Sequence, residues 1–385
     1  MTDLDGLLAF AARSKLPDGG FGYLGDDGRV LPDRPVETWI VARMTHVFGL
    51  AHLLGRDGAA ELARHGVAAL TDGPLRDAEH GGWRATTDDD TKAAYPHAFV
   101  MLAGATAATA GVPGGAELLR DAIDVWQDRF WDDDAGMAVE QWDRAWSRLD
   151  DYRGLNANMH GVEASLAAAD ALPTTDQAGK RQLREQARRT TERVLGWGRQ
   201  SHWLLPEHFT SDWTPLPDYN RDRPADPFRP FGATPGHLFE WARLALHVRA
   251  VTVPPAPFDD AARQLFLAAA AVSDGHAGIP YTVDWNGRVV VAARMHWVLC
   301  EAIAAGHVFA AATGDDSYRI HAEDWRDLGE RLFADPSTGS WHHELTPSGD
   351  VASGTWAGQP DAYHLAQMLL LDGRPVRGSV ASALR

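Results

Sequence analysis

The chain of 385 residues has one cysteine, Cys300. A lone thiol cannot close an intrachain disulfide, so the core must hold the fold, and a reducing compartment is expected. Long apolar runs are missing too: none approaches the ~20 residues a membrane-spanning helix needs. The opening residues Met1-Thr2-Asp3-Leu4-Asp5 have neither the basic start nor the apolar stretch of a secretion signal. Positive charge is scarce, with 36 Lys and Arg against 53 Asp and Glu and a net charge of −17. Such a surface repels phosphate backbones and anionic lipid, which argues against nucleic-acid and membrane partners. The chain has no P-loop, no dinucleotide glycine fingerprint and no His-Glu-x-x-His. His342-His343-Glu344 does not replace the last of these, because neighbours on a strand point to opposite faces. These absences lead us to expect a cytoplasmic protein with no metal; a monomer or homodimer is expected as well.

Against this background a repeat stands out. Glycine/aromatic loop segments recur at Gly19-Gly20-Phe21, Gly81-Gly82-Trp83, Ala135-Gly136-Met137, Leu204-Leu205-Pro206, Ala277-Gly278-Ile279 and Gly339-Ser340-Trp341. Each is followed by a mostly apolar stretch containing a histidine: His46, His97, His160, His237, His296 and His364. The spacing accommodates two helices and two loops per repeat, so we expect one all-α domain over residues 1–385, a closed ring of six helix pairs. Periodicity places the helices at Val36–Leu54 with Ala59–Leu70, Lys92–Ala110 with Ala116–Phe130, and Asn158–Ala171 with Thr175–Gly196. Three further pairs are Pro235–Val251 with Asp259–Ala271, Val289–Thr313 with Asp316–Phe333, and Gln359–Leu371 with the N-terminal Leu4–Ser14. Short hairpins are expected at residues 20–24, 279–283 and 341–345, each followed by a glycine turn. The stretch Pro206 to Pro235 is the longest irregular one, and a loop of that length in a compact domain is often functional. Tryptophan is abundant, with fifteen residues; most should be core, and some should line a sugar-sized pocket, where a flat ring stacks on C–H faces.

Five clusters carry possible chemistry. In Trp39-x-x-x-Arg43-x-x-His46, Arg43 sits in an apolar run, so a carboxylate or a ligand should meet it. Asn156, His160 and Glu163 share one helical face; the plainer reading is an asparagine N-cap followed by a satisfied buried pair. Thr234-Pro235-Gly236-His237 opens a helix with Thr234 as the expected cap, and Glu240, one turn on, can hold the imidazole. Imidazole titrates near working pH, which suits acid/base work. Gln359-Pro360-Asp361-Ala362-Tyr363-His364 opens another helix with a histidine at its mouth. In Arg294-Met295-His296-Trp297 with Glu301, the faces favour Trp297 over His296 as the pocket residue. Tyr95 and Phe99 likewise face away from His97, so His46, His97 and His296 read as scaffold.

Taken together, Arg43-Met44-Thr45-His46, Asn156-Ala157-Asn158-Met159-His160, Thr234-Pro235-Gly236-His237-Leu238-Phe239-Glu240-Trp241, Arg294-Met295-His296-Trp297 and Pro360-Asp361-Ala362-Tyr363-His364 resemble the N-acylglucosamine 2-epimerase family, in particular its aldose–ketose isomerase branch. The resemblance implies an (α/α)6 barrel, with the short β-hairpins at its active-site end, and cofactor-independent sugar chemistry through a cis-enediolate. Carried over by position, it implies His364 as the base at C2 and His237 as the second acid/base, with Glu240 as its partner. It implies Arg43 and His160 at the oxygens of C1 and C2, and Trp39, Tyr95, Asn156, Trp297, Arg229 and Gln359 as substrate contacts. The implied reaction interconverts mannose and fructose, with lyxose and xylulose as a second pair. The rivals are 2-epimerisation of a free sugar, a sulfoquinovose-type isomerase, an inverting glycosidase and a non-catalytic sugar binder. Pro227, two residues before Arg229, stands where a sulfosugar enzyme of this branch should have a basic residue. An inverting glycosidase would need two opposed carboxylates rather than histidines.

Overall fold

The computed structural model describes residues 1–273 and 278–385; Ala277 of the fifth loop segment lies outside them. The chain forms two compact units. The N-terminal unit comprises residues 8–190, 360–363 and 377–385; the C-terminal unit comprises residues 1–7, 191–359 and 364–376. The helices in chain order are α1 (Leu4–Ala12), α2 (Thr38–Leu53), α3 (Ala59–Thr71), α4 (Ala94–Thr109), α5 (Gly115–Val125), α6 (Leu155–Ala171) and α7 (Gln177–Gln200), then α8 (Pro235–Val251), α9 (Asp259–Ala271), α10 (His296–Thr313), α11 (Asp316–Leu332), α12 (Tyr363–Leu371) and α13 (Val380–Ala383). No helix among the described residues is long and apolar enough to cross a membrane.

Two kinds of helix alternate. In the N-terminal unit α2, α4 and α6 are buried along almost their whole length and pack side by side. Their sequences have no polar face for solvent, and their few polar groups, Arg43, His160 and Glu163 among them, are buried with the rest. α3 packs on α2 and α5 on α4, and each buries only one stripe. The C-terminal unit repeats the pattern: α8 and α10 lie inside and adjacent, α9 backs α8 and α11 backs α10. In that unit the first residues of the chain are tied down as well: Thr2 N donates to Glu330 (2.9 Å) and Trp341 Nε1 donates to Thr2 Oγ1 (3.0 Å).

Two-stranded ladders sit ahead of the inner helices. Lys92–Ala93 pairs with Gln141–Trp142 just before α4, and Arg294–Met295 pairs with Glu344–Leu345 just before α10. The repeated glycine explains itself here. Gly20, Gly82, Gly136, Gly278 and Gly339 all have left-handed φ, between +65° and +90°. At Gly82 a Cβ would also meet the ring of Trp146 at 2.7 Å and Nε2 of His97 at 2.9 Å. The position without glycine, Leu204, is preceded by His202 and Trp203, which take the left-handed turn themselves (φ 53° and 69°).

Some expected boundaries move. Val289–Thr313 is not one helix: Val289–Val291 is a strand paired with Thr282–Val283, and the helix starts at His296. A run of three valines after an Asn-Gly turn favours the hairpin. Arg294 therefore lies on a strand, not on the helical face of Trp297 and Glu301. The last inner helix begins at Tyr363 rather than Gln359, after Pro360, with Asp361 Oδ1 accepting from Tyr363 N (2.7 Å). Phe130 ends a π-turn, Trp126–Phe130, rather than α5 itself. Neither Asn156 nor Asn158 caps α6, which follows Gly154. Thr234 does stand at the cap position of α8, but its hydroxyl makes no capping bond.

Candidate active site

Each unit collects its own polar cluster at the N-terminal ends of its inner helices. In the C-terminal unit, His237 is in the first turn of α8 and His364 is the second residue of α12. Each ring is held through Nδ1 by a carboxylate. Glu207 takes His237 at 2.9 Å (Oε2) and 3.0 Å (Oε1), and Glu301, from α10, takes His364 at 2.9 Å. With Nδ1–H donated to a carboxylate, Nε2 is left as the basic nitrogen of each ring. The indole of Trp297 lies against both rings, with centroids at 5.2 Å from His237 and 5.6 Å from His364. His237, His364 and Trp297 are buried but keep 8%, 9% and 9% of their surface, whereas Glu240 and Glu301 keep 0% and 1%.

This corrects the expected partner of His237. Glu240 is one turn along α8, but its Oε1 accepts from Arg243 (3.3 Å), and Nδ1 of His237 bonds Glu207 instead. A buried guanidinium one turn further on is the stronger claim on that carboxylate. Glu207 comes from the start of the long 206–235 loop, and that loop is well pinned. His208 Nε2 bonds Pro230 O (2.7 Å), Tyr281 Oη donates to Pro227 O (3.1 Å), and Trp285 Nε1 donates to Pro217 O (3.0 Å). Arg229 lies half-buried in it with Nη1 3.5 Å from Tyr219 Oη. Gln359 is 2% exposed and neither atom of its amide has a partner. A buried amide left unpaired is costly, so this one is suited to a ligand hydroxyl.

In the N-terminal unit the centre is Arg43, on α2. Nη1 donates to Asp361 Oδ2 (3.1 Å) and Nη2 to Tyr95 Oη (2.8 Å). Its guanidinium carbon lies 4.3 Å from the ring centroid of Phe99, 4.6 Å from Tyr363 and 5.0 Å from Trp39. Burial by itself would lower its pKa; Tyr95, Asp361 and Tyr363 outweigh that and raise it, so the charge is permanent. His160, on α6, has Nδ1 3.6 Å from Glu163 Oε2 and its ring 4.5 Å from Phe99. Glu163 in turn accepts a short hydrogen bond from Tyr363 Oη. Asn156 presents an unpartnered Oδ1, whereas Asn158 is spent on backbone, donating to Ala138 O (3.0 Å) and Gly154 O (2.9 Å). Trp39 donates its Nε1 to Glu37 (2.7 Å).

The remaining histidines of the repeat, His46, His97 and His296, bond to neutral groups of the protein. His97 Nδ1 donates to Ala93 O (2.6 Å) while Nε2 accepts from Trp83 N (3.0 Å), and burial pushes its pKa down to about 3. His46 Nδ1 bonds Thr106 Oγ1 (2.7 Å), and burial lowers it to about 4. His296 Nδ1 is 3.4 Å from His343 O. Four groups that organise the clusters were not among the expected site residues: Glu207, Arg243, Glu301 and Asp361. Glu301 and Asp361 stood in quoted motifs, and Glu207 in the loop already singled out for its length. Arg243 gave the same signal as Arg43, a guanidinium inside an apolar helix.

Paired inner and outer helices mark the (α/α)6-barrel class, and the proteins this chain resembles show it to be an isomerase of that class. The chain belongs to the N-acylglucosamine 2-epimerase (GlcNAc 2-epimerase) family, whose pattern it matches over residues 19–368. It is 46% identical to a D-mannose isomerase of Thermobifida fusca, over 98% of this chain and 94% of that one. It is 45% identical to a D-mannose isomerase of Pseudomonas cannabina pv. alisalensis, over 98% and 92%. Among solved structures, a crystal structure of D-mannose isomerase superposes with a TM-score of 0.85 at 26% identity, covering 96% of this chain and 95% of that one.

Proposed function

We propose that the protein interconverts D-mannose and D-fructose, with D-lyxose and D-xylulose as a second pair. The chemistry is proton transfer between C1 and C2. The C2 proton, beside the C1 carbonyl of the open-chain sugar, is weakly acidic. His364 removes it with Nε2 while Glu301 holds Nδ1–H, the hydroxyl proton on O2 passes to O1, and the same nitrogen returns its proton to C1, leaving the carbonyl at C2. The developing enediolate oxygens need positive donors at fixed positions, and Arg43 and His160 take that role. His237, held by Glu207, serves ring opening. Trp39, Tyr95, Asn156, Trp297, Arg229 and Gln359 contact the sugar. The unpartnered amide of Gln359 and Oδ1 of Asn156 are the best supported of these, because a substrate hydroxyl would satisfy them. Glu240 is reassigned from holding His237 to the Arg243 network. A reducing cytoplasm fits the single buried thiol, Cys300.

The observation that carries this reading is the His364–Glu301 pair, a buried imidazole fixed in one tautomer that keeps 9% of its surface. The carboxylates that hold the two histidines, Glu207 and Glu301, are each engaged by an imidazole, an arrangement unlike the opposed carboxylate pair of an inverting glycosidase. A second reading, 2-epimerisation, is favoured by one fact: two carboxylate-held imidazoles flank Trp297, and two proton carriers permit return of the proton to the other face of C2. Incubation with D-mannose in D2O, followed by NMR, separates the two. Fructose carrying deuterium at C1 is the expected early product. Glucose deuterated at C2 as the early product would establish the epimerase instead.

A further inference from the structure

We propose that Arg243 is a positioning residue for this reaction, acting on His364 through Glu301. The inference rests on His364 being the proton carrier. Arg243 lies in the apolar middle of α8 and is 1% exposed. Its Nε donates to Glu301 Oε2 (2.7 Å), and its Nη2 reaches Glu301 Oε1 (3.4 Å) and Glu240 Oε1 (3.3 Å). The guanidinium thus grips both oxygens of Glu301 side-on, and Oε1 is the oxygen that takes Nδ1–H of His364.

Two physical arguments turn this contact into a role. A fully buried ion pair is a poor stabiliser, because desolvation offsets the attraction, so stability alone does not account for a guanidinium between two carboxylates. A carboxylate held at one oxygen can rotate, and an imidazole hanging on it can tilt or change tautomer. One gripped at both oxygens cannot, and the ring it carries is fixed to the tolerance that proton transfer demands. Arg243 also spans the two acid/base segments: His237, Glu240 and Arg243 stand at successive turns of α8, and Glu301 leads on to His364. A lysine could supply the charge but not the fork.

The test is Arg243→Lys, with Arg243→Gln as a second variant that keeps a planar donor, each checked for native thermal unfolding and assayed on D-mannose. Arg243→Lys is expected to lower kcat about 10- to 100-fold with KM within about 3-fold. Combined with Glu301→Gln it should cost little beyond Glu301→Gln alone, because both act on one ring. Histidine 15N spectra should show the Nδ1–H tautomer at His364 in the unaltered enzyme, with the signal assigned by its loss in His364→Asn, and a tautomer mixture in Arg243→Lys. Unchanged kcat, additive losses in the double variant or an unaltered tautomer in Arg243→Lys would each overturn the role. If neither Arg243 variant folds, a tautomer mixture at His364 in the unaltered enzyme overturns it. Failure of the unaltered enzyme to turn over any aldose would strike the proposed function instead, so the two failures are distinct.

Discussion

Two of the three repeat histidines in each unit are held in contrasting ways. In the C-terminal unit His237 and His364 each have a carboxylate on Nδ1, and both rings lie against Trp297. In the N-terminal unit His46 and His97 have neutral partners, a threonine hydroxyl and two backbone groups, and burial drives both far below the ordinary imidazole range. The permanent charge there belongs to Arg43. The same residue type at the same point of the repeat is therefore held by a carboxylate in one place and by neutral groups in another, and the Nδ1 partner, not the repeat, tells the two apart.

The sharpest way to break this comparison is to remove a proton carrier. His364→Asn should lower kcat by about 10³-fold or more with little change in KM, read by steady-state turnover of mannose; a loss below tenfold would return His364 to the scaffold. Arg43→Met should come next, with kcat/KM down about 10²- to 10³-fold, together with a lower melting temperature because Asp361 is left buried without its cation. Glu207→Gln keeps the shape but weakens the hold on His237. A fall of about tenfold in kcat is expected, and full activity would mean that the carboxylate is structural. The smallest effect on catalysis should come from His97→Gln, which ought to leave kcat within about twofold but cost roughly 1–3 kcal/mol in unfolding free energy as Trp83 N and Ala93 O lose their partner.

The pinned histidines also set an acid limit on the fold. Their native pKa values, about 3 for His97 and about 4 for His46, lie below the ~6.5 of an unfolded chain. Between those values the unfolded chain binds protons that the folded one refuses, so stability is complete above pH ~6.5 and declines as pH falls toward 4. Thermal melts across that range should show the decline, and His97→Gln should make it shallower.

Much of this was legible in the sequence. Helices with no polar face for solvent, alternating with amphipathic ones, announced inner and outer rows, and the loop glycines marked where the chain turns left-handed. Helical faces alone separated Trp297 and Glu301 from His296, and Tyr95 and Phe99 from His97. The carboxylates were not legible. Periodicity reports neighbours three and four residues away, so it offered Glu240 to His237. The actual partner is 30 residues distant, Glu301 is 63 from His364, and Asp361 is 318 from Arg43. The valines at 289–291 were read as helix because their apolar run continues into a true one, and only pairing with Thr282–Val283 decided otherwise.

The last of those separations has a consequence for how the chain is made. Arg43 is translated early, in the second helix, but the aspartate that neutralises it is almost the last part of the N-terminal unit to appear. At 5–20 residues per second, roughly 16 to 64 seconds pass between the two. Throughout that interval the growing chain holds a cation destined for burial with no counter-charge to bury it. The N-terminal unit therefore gains this counter-charge only when residues 360–363 emerge. A nascent chain stalled short of Asp361 is expected to be cut by protease faster around α2 than the finished chain.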